Sequence, residues 1–358
     1  MTKPNSSLID CALDAIRTGK LVAIPTETVY GLGADATNRD AIQKIYQLKG
    51  RPTNHPLIVH VQAPPTNSED LEKEWLTILS PWTRHIPESA LILIKHFWPG
   101  PLTLVFEKSK SVLDSVTGGQ ATVAIRSPAH PLTQELLRRF GGGIAAPSAN
   151  RYGRISPTSA GDVAAEFPNN PDLLILDGGS CEHGIESTIL DVSGEGPPQL
   201  LRPGSISPSM IRASTGIDVV SGRSAASQPR VSGTHLAHYA PHTALYLYSE
   251  SGIASQLDSL IREAPEAKFA VLVWEQEHSH HEALLKAYLN HLTFIALAMD
   301  PTLLAKQLYR LLRDLDQGQY QAIFIPSLPK TEAWDAVRDR LQRASFGSGP
   351  SSSNHVSS

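Results

Sequence analysis

The richest chemistry in the chain lies in Pro25-Thr26-Glu27-Thr28-Val29-Tyr30-Gly31-Leu32-Gly33, where two hydroxyls, a carboxylate and a phenol enter a glycine-punctuated turn. The run follows apolar Leu21 to Ile24, and polar loops at the C-terminal ends of strands are where open α/β sheets bind ligands. Gly31 to Ala36 formally fits G-x-G-x-x-A. That dinucleotide fingerprint needs a glycine turn joining strand directly to helix, whereas the next helix looks capped only at Thr37 or Asn38. Lys49-Gly50-Arg51-Pro52 presents a point charge and a bidentate fork on one turn, with His55 close behind, a combination suited to a triphosphate. His60 sits inside a strand pattern, where a histidine is more often a satisfied core residue.

Farther along, Thr122, Ala124 and Arg126 share one strand face, and Ala146-Pro147-Ser148-Ala149-Asn150 opens a strand into two side chains able to bond phosphate or ribose. Ser156, Ser187 and Arg202 lie in further polar turns. Each alone reads as a helix cap or a solvated cation. Together, Lys49, Arg51, Arg126 and Arg202 with the hydroxyls of Thr28, Ser148, Ser156 and Ser187 form an anion-binding inventory without a catalytic triad or metal cage. No G-x-x-x-x-G-K-[ST] occurs, which excludes a P-loop. His278, His280 and His281 beside Glu275, Glu277 and Glu282 could hold a metal, although such clusters usually form solvated helix starts.

These residues need a scaffold of strands. Short apolar runs at Leu21–Ile24, Leu57–Val61, Leu102–Phe106, Thr122–Ile125, Ile144–Ala146, Leu173–Leu176 and Thr188–Val192 alternate with helical patterns such as Arg39–Leu48 and Pro131–Phe140. This predicts an α/β or α+β domain with a mixed sheet, ending near Val220. Ser221 to His242 is rich in Ser, Gly, Ala and Pro without a period, which reads as a linker. Strands at Ala244–Tyr248, Phe269–Trp274, Thr293–Leu297 and Ala322–Ile325 then alternate with helices including Pro301–Leu315 and Glu332–Ala344, predicting a small three-layer domain with a mostly parallel sheet. The Ser/Gly-rich tail from Gly347 to Ser358 is expected to be disordered.

Composition agrees with this plan. A chain of 358 residues has room for two domains, and 41% hydrophobic with 18% charged residues is a globular profile. The net charge of −4 excludes coating of nucleic acid by bulk charge, though not a local basic cleft. Two cysteines cannot build a disulfide scaffold or a four-cysteine zinc site. The N-terminus lacks the apolar core of a signal peptide and no apolar run reaches membrane-spanning length, so a soluble cytoplasmic protein without membrane contact is expected.

The motifs just quoted, with Pro56 to His60, Trp98-Pro99-Gly100-Pro101-Leu102-Thr103, Glu186-Ser187-Thr188, Leu201-Arg202-Pro203-Gly204 and His238-Tyr239-Ala240-Pro241, closely resemble those of the threonylcarbamoyl-AMP synthases in their two-domain form. The resemblance runs from about Leu8 to Ala344. It implies a YrdC-like mixed, twisted sheet with helices over residues 1–220, a linker or lid over 221–242, and a Rossmann-like three-layer α/β domain over 243–346. It also implies a reaction: L-threonine, bicarbonate and ATP, with Mg²⁺, give threonylcarbamoyl-AMP, pyrophosphate and water. A separate downstream transferase complex then uses the product to modify tRNA adenosine.

By the same resemblance, Thr28, His60, Arg126, Ala146 and Ser187 form the threonine pocket. Arg51, His55, Thr122, Ser148, Asn150, Ser156 and Arg202 contact ATP, Lys49 and Arg51 serve catalysis by offsetting phosphate charge, and Tyr239 reaches back over the nucleotide. This chain has His55 where the family commonly has Asn or Lys. YrdC-like domains also carry an association with double-stranded RNA, which leaves direct tRNA contact open. Hydrogenase-maturation proteins share the domain but carry cysteine-rich zinc segments, which two cysteines cannot supply.

Overall fold

A computed structural model describes residues 4–65, 68–221, 229–233 and 237–349. The chain divides into two compact units, one of Met1–Tyr152 and Ser156–Thr234, the other of Gly153–Ile155 and His235–Ser358. The predicted linker is therefore shared out, Val231 to Gly233 going with the first unit and Ala237 to His242 with the second. Residues 222–228 and 234–236 of that linker, and the 350–358 part of the tail expected to be disordered, lie outside the described residues. The last helix, Asp335–Gly347, runs beyond its predicted end at Ala344.

The first unit is built on strands β1 (Leu21–Ile24), β2 (Gly31–Asp35), β3 (Ile58–His60), β4 (Leu102–Glu107), β5 (Thr122–Arg126), β6 (Ile144–Ala145), β7 (Leu173–Ile175), β8 (Thr188–Asp191) and β9 (Gln199–Arg202). They form one sheet in the order β7-β1-β2-β6-β3-β5-β4-β8-β9. The sheet is mixed, with β3 parallel to β5 and β4 to β8, while β4 and β5 run antiparallel. Of these, β2 departs from the sequence reading, which placed Gly31 and Gly33 in a turn. Both are strand residues paired with β1, and the sheet leaves no room for side chains there. A Cβ on Gly33 would stand 2.9 Å from Ile144 Cγ2 and 3.1 Å from the Val22 carbonyl, and one on Gly31 would lie 3.1 Å from Ala146 Cβ.

Period-2 alternation sends the strand side chains to two different environments. Val59, Leu104, Phe106, Val123, Ile125 and Leu190 point into the main core, against helices that contribute Ile42, Ile45, Trp75, Leu93 and Ile94. On the opposite face, helices Pro4–Arg17 and Pro131–Phe140 cover Val22, Ile24, Ile144 and Ala146 through Ile9, Leu13, Ile16, Leu136 and Leu137. Beyond those helices on this same face, Ile58, Val105, Ala124 and Ile189 pack with Val231 from the predicted linker. Here chain without regular secondary structure takes the place of a helix, and here the polar residues cluster.

In the second unit, β10 (Ala244–Tyr248), β11 (Phe269–Trp274), β12 (Leu292–Leu297) and β13 (Ala322–Pro326) form a sheet in the order β10-β13-β11-β12, with every described pair parallel. All of β11 is buried, as a parallel strand covered on both faces must be. Among the described residues no helix is long and apolar enough to cross a membrane.

Candidate active site

Arg126 ends β5 and is held on three sides. Its Nη2 donates to Glu27 Oε1 at 2.6 Å, Nη1 to Thr28 Oγ1 at 2.8 Å and Nε to the Gly100 carbonyl at 3.2 Å. The second oxygen of Glu27 accepts from the Ala129 amide at 2.9 Å. Arg126 is 4% exposed and Glu27 6%, so this is a buried ion pair, and deleting one partner would leave the other charge stranded. Burial alone would raise the Glu27 carboxyl. The Arg126 charge and the hydrogen bonds to Arg126 and Ala129 outweigh it and hold the group below its ordinary value. Thr26 Oγ1 spends its proton on the Val29 carbonyl at 2.6 Å, so in the 2.8 Å contact between the two hydroxyls Thr28 is the donor. The polar triplet in the sequence thus folds into a relay that presents Arg126.

His60 on β3 is directly opposite Arg126 in the sheet register and is buried. Burial, then the nearby Arg126 charge, lower it to about 3, so it is a neutral imidazole at physiological pH. Ala146 lies on the same face, its amide donating to the Ile58 carbonyl at 2.9 Å. Tyr30 is spent structurally. Its hydroxyl donates to the Gly179 carbonyl at 2.8 Å and accepts from the Gly178 amide at 3.0 Å.

A second cluster forms where helix Arg39–Lys49 stops at Gly50, whose φ of 65° needs a residue without Cβ strain. Lys49 is buried and its Nζ donates to the carbonyls of Ser148, at 2.7 Å, and Asn150. The sequence reading aimed this ammonium at phosphate; the structure uses it to hold the Ser148–Asn150 loop. Burial first, and the Arg51 charge second, depress Lys49 well below the ordinary lysine range. Arg51 Nη2 donates to the Pro56 carbonyl at 3.0 Å and to Ser232 Oγ at 3.3 Å. His55 sits with its ring 5.4 Å from that of Tyr152.

The third cluster joins Ser156, Ser187 and Arg202. Ser156 Oγ donates to Glu186 Oε1 at 2.6 Å, and Ser187 Oγ lies 2.8 Å from Thr103 Oγ1. Arg202 Nε and Nη2 donate to the Ser187 carbonyl at 3.1 and 2.9 Å, and its Nη1 donates to the Ser232 carbonyl at 2.8 Å. Ser232 therefore touches two arginines, and Arg230 beside it exchanges hydrogen bonds with Gln120 at 2.7 and 3.0 Å. Neutral oxygens from the linker stand against the cations assigned to the nucleotide.

In the first unit, Thr28, His60, Arg126, Ala146 and Ser187 come together, as do Lys49, Arg51, Ser148 and Asn150. Thr122 begins β5, half-buried, on the face of Ala124 and Arg126. Tyr239, expected over the nucleotide, belongs to the second unit. It is buried there, 5.6 Å from the Tyr309 ring and 5.3 Å from the Arg340 guanidinium. Aromatic and cationic neighbours supplied by distant helices capture this residue. The histidine cluster also disperses: His280 pairs with Glu250, and His281 is buried with Nδ1 3.1 Å from the Glu277 carbonyl. Among the described residues no group of three or more His, Cys, Asp or Glu is arranged to hold a metal.

Sequence reasoning assigned no role to Glu27, Thr103, Glu186 or Ser232. Glu27 was visible within its motif, but its partner lies 99 positions away.

Residues 14–204 match a family model described as telomere recombination, and residues 206–345 match one described as threonylcarbamoyl-AMP synthase, C-terminal domain. A threonylcarbamoyl-AMP synthase of Bacillus subtilis is 38% identical over 96% of this chain and 94% of its own length. Its counterpart in Pyrococcus abyssi is 36% identical, covering 94% of each chain. The crystal structure of P. abyssi Sua5 complexed with L-threonine superposes with a TM-score of 0.75 at 34% identity, covering 96% of both chains.

Proposed function

The chain belongs to the threonylcarbamoyl-AMP synthase family, and on that premise we propose that it is a nucleotidyltransferase making threonylcarbamoyl-AMP and pyrophosphate from L-threonine, bicarbonate and ATP. One observation carries the assignment of roles. Arg126, a fork suited to a carboxylate, donates to Thr28, and in the same unit Arg202 donates to Ser187 and is joined to Arg51 through Ser232.

In this reading Arg126 binds the threonine carboxylate, while Thr28, Ser187 and neutral His60 shape the pocket around the amine. The amine and bicarbonate form a carbamate with loss of water. A carbamate oxygen attacks the α-phosphorus and pyrophosphate leaves, its charge met by Arg51 and Arg202. Lys49 acts by holding Ser148 and Asn150 against the nucleotide. Mg²⁺ enters on the phosphates of ATP, as part of the substrate. Rate enhancement comes from positioning and fixed charge, with water kept from a labile carbamate. The product then passes to a separate transferase acting on tRNA.

The test is mass spectrometry of a reaction containing purified protein, ATP, threonine and labelled bicarbonate. Labelled threonylcarbamoyl-AMP is expected, and Arg51→Ala should abolish threonine-dependent pyrophosphate release. No labelled adduct from the wild type, or near-wild-type release from the variant, would sink the proposal.

A further inference from the structure

Arg126 has five N–H donors and spends three on Gly100, Thr28 and Glu27. One N–H remains on each terminal nitrogen, two donors left for an arriving carboxylate. Yet the guanidinium is already neutralised, because Glu27 lies 2.6 Å away and both side chains are more than nine-tenths buried. A carboxylate arriving at Arg126 therefore brings a second negative charge beside Glu27. His60, the facing group on β3, is uncharged and cannot balance it.

We infer that Glu27 sets the charge class of ligand that Arg126 accepts: the pocket takes a zwitterionic amino acid and disfavours the same molecule once its amine is acylated. This rests on the reading of Arg126 as the carboxylate site. A free amino acid carries its own ammonium, which restores neutrality when its carboxylate joins Arg126 and Glu27. Acylation turns that ammonium into a neutral N–H and leaves two carboxylates sharing one guanidinium. Substrate and product of the proposed reaction differ in this respect, since carbamoylation removes the positive charge. Glu27 acts through Arg126 as a specificity and positioning residue, favouring entry of threonine and departure of the acylated product.

Calorimetric binding to the full chain without ATP tests this, using L-threonine, N-methyl-L-threonine, which keeps the ammonium, and N-acetyl-L-threonine, which loses it. For the wild type, the N-methyl compound should bind at least about tenfold more tightly than the N-acetyl compound, as expected for an uncompensated like charge in partly buried surroundings. In Glu27→Gln that preference should shrink by about fivefold or more, and Glu27→Asp should restore most of it. A preference unchanged in a folded Glu27→Gln protein overturns the inference. Should that variant not fold, near-equal binding of the two derivatives to the wild type overturns it equally. Binding of threonine with no charge preference refutes this inference alone, whereas no threonine binding to the wild type refutes the pocket reading and this inference with it.

Discussion

Lys49 Nζ donates to the Ser148 carbonyl at 2.7 Å across 99 positions of sequence, tying the end of one helix to the loop that carries Ser148 and Asn150. A charge drawn into the interior for this contact is a brace. Lys49→Met keeps the stem and removes the donors. The loop should loosen and the KM for ATP should rise at least about tenfold, the scale of one hydrogen bond from a charged group. Lys49→Arg should not rescue it, because a planar fork does not fit a site made for a narrow ammonium. ATP titration of initial rates checks this; a KM within twofold of wild type rejects the brace.

His60 gives a pH signature. Its folded value of about 3 lies below the ordinary 6.5, so between them the unfolded chain binds a proton that the folded chain refuses. Stability is therefore unaffected by this group above pH 6.5 and falls as acid is added through the window. Of the stability lost between pH 7 and pH 5, about 2 kcal/mol belongs to His60 by this linkage. Urea unfolding of His60→Gln should show a correspondingly flatter profile. Parallel profiles for the two proteins would argue against a buried neutral histidine.

Val231 is 4% exposed and packs on Ile58, Val105, Ala124 and Ile189 above the site. Val231→Ala removes two methyl groups from that contact and should weaken docking of the segment by about 1–2 kcal/mol, roughly a tenfold rise in its open population. Trypsin cleavage after Arg230 should accelerate by that factor while global unfolding stays cooperative. An unchanged cleavage rate would show that Val231 does not hold the segment down.

Gly33→Ala tests the close strand packing around β2. The added Cβ would press on Ile144 Cγ2 and the Val22 carbonyl, backbone that cannot retreat without breaking the pairing of β1 and β2. A loss of at least about 1 kcal/mol is expected, from overpacking without a compensating contact. Chemical denaturation that finds Gly33→Ala as stable as wild type contradicts this account.

Much of this protein is local and therefore legible along the chain. Short apolar runs predicted β3, β4, β5 and β8, and the two-residue period of a strand put Thr122, Ala124 and Arg126 on one face. Asn38 capping the next helix and Gly50 ending it follow from side-chain and backbone preferences acting over a few residues. Tertiary structure decided what depends on partners far apart. It paired Glu27 with Arg126, turned Lys49 inward, made a strand of Gly31 to Asp35 and drew Val231 and Ser232 onto the site face. It also placed Tyr239 among Tyr309 and Arg340. Burial and electrostatic compensation depend on everything surrounding a group, so these outcomes exist only once the strands have assembled.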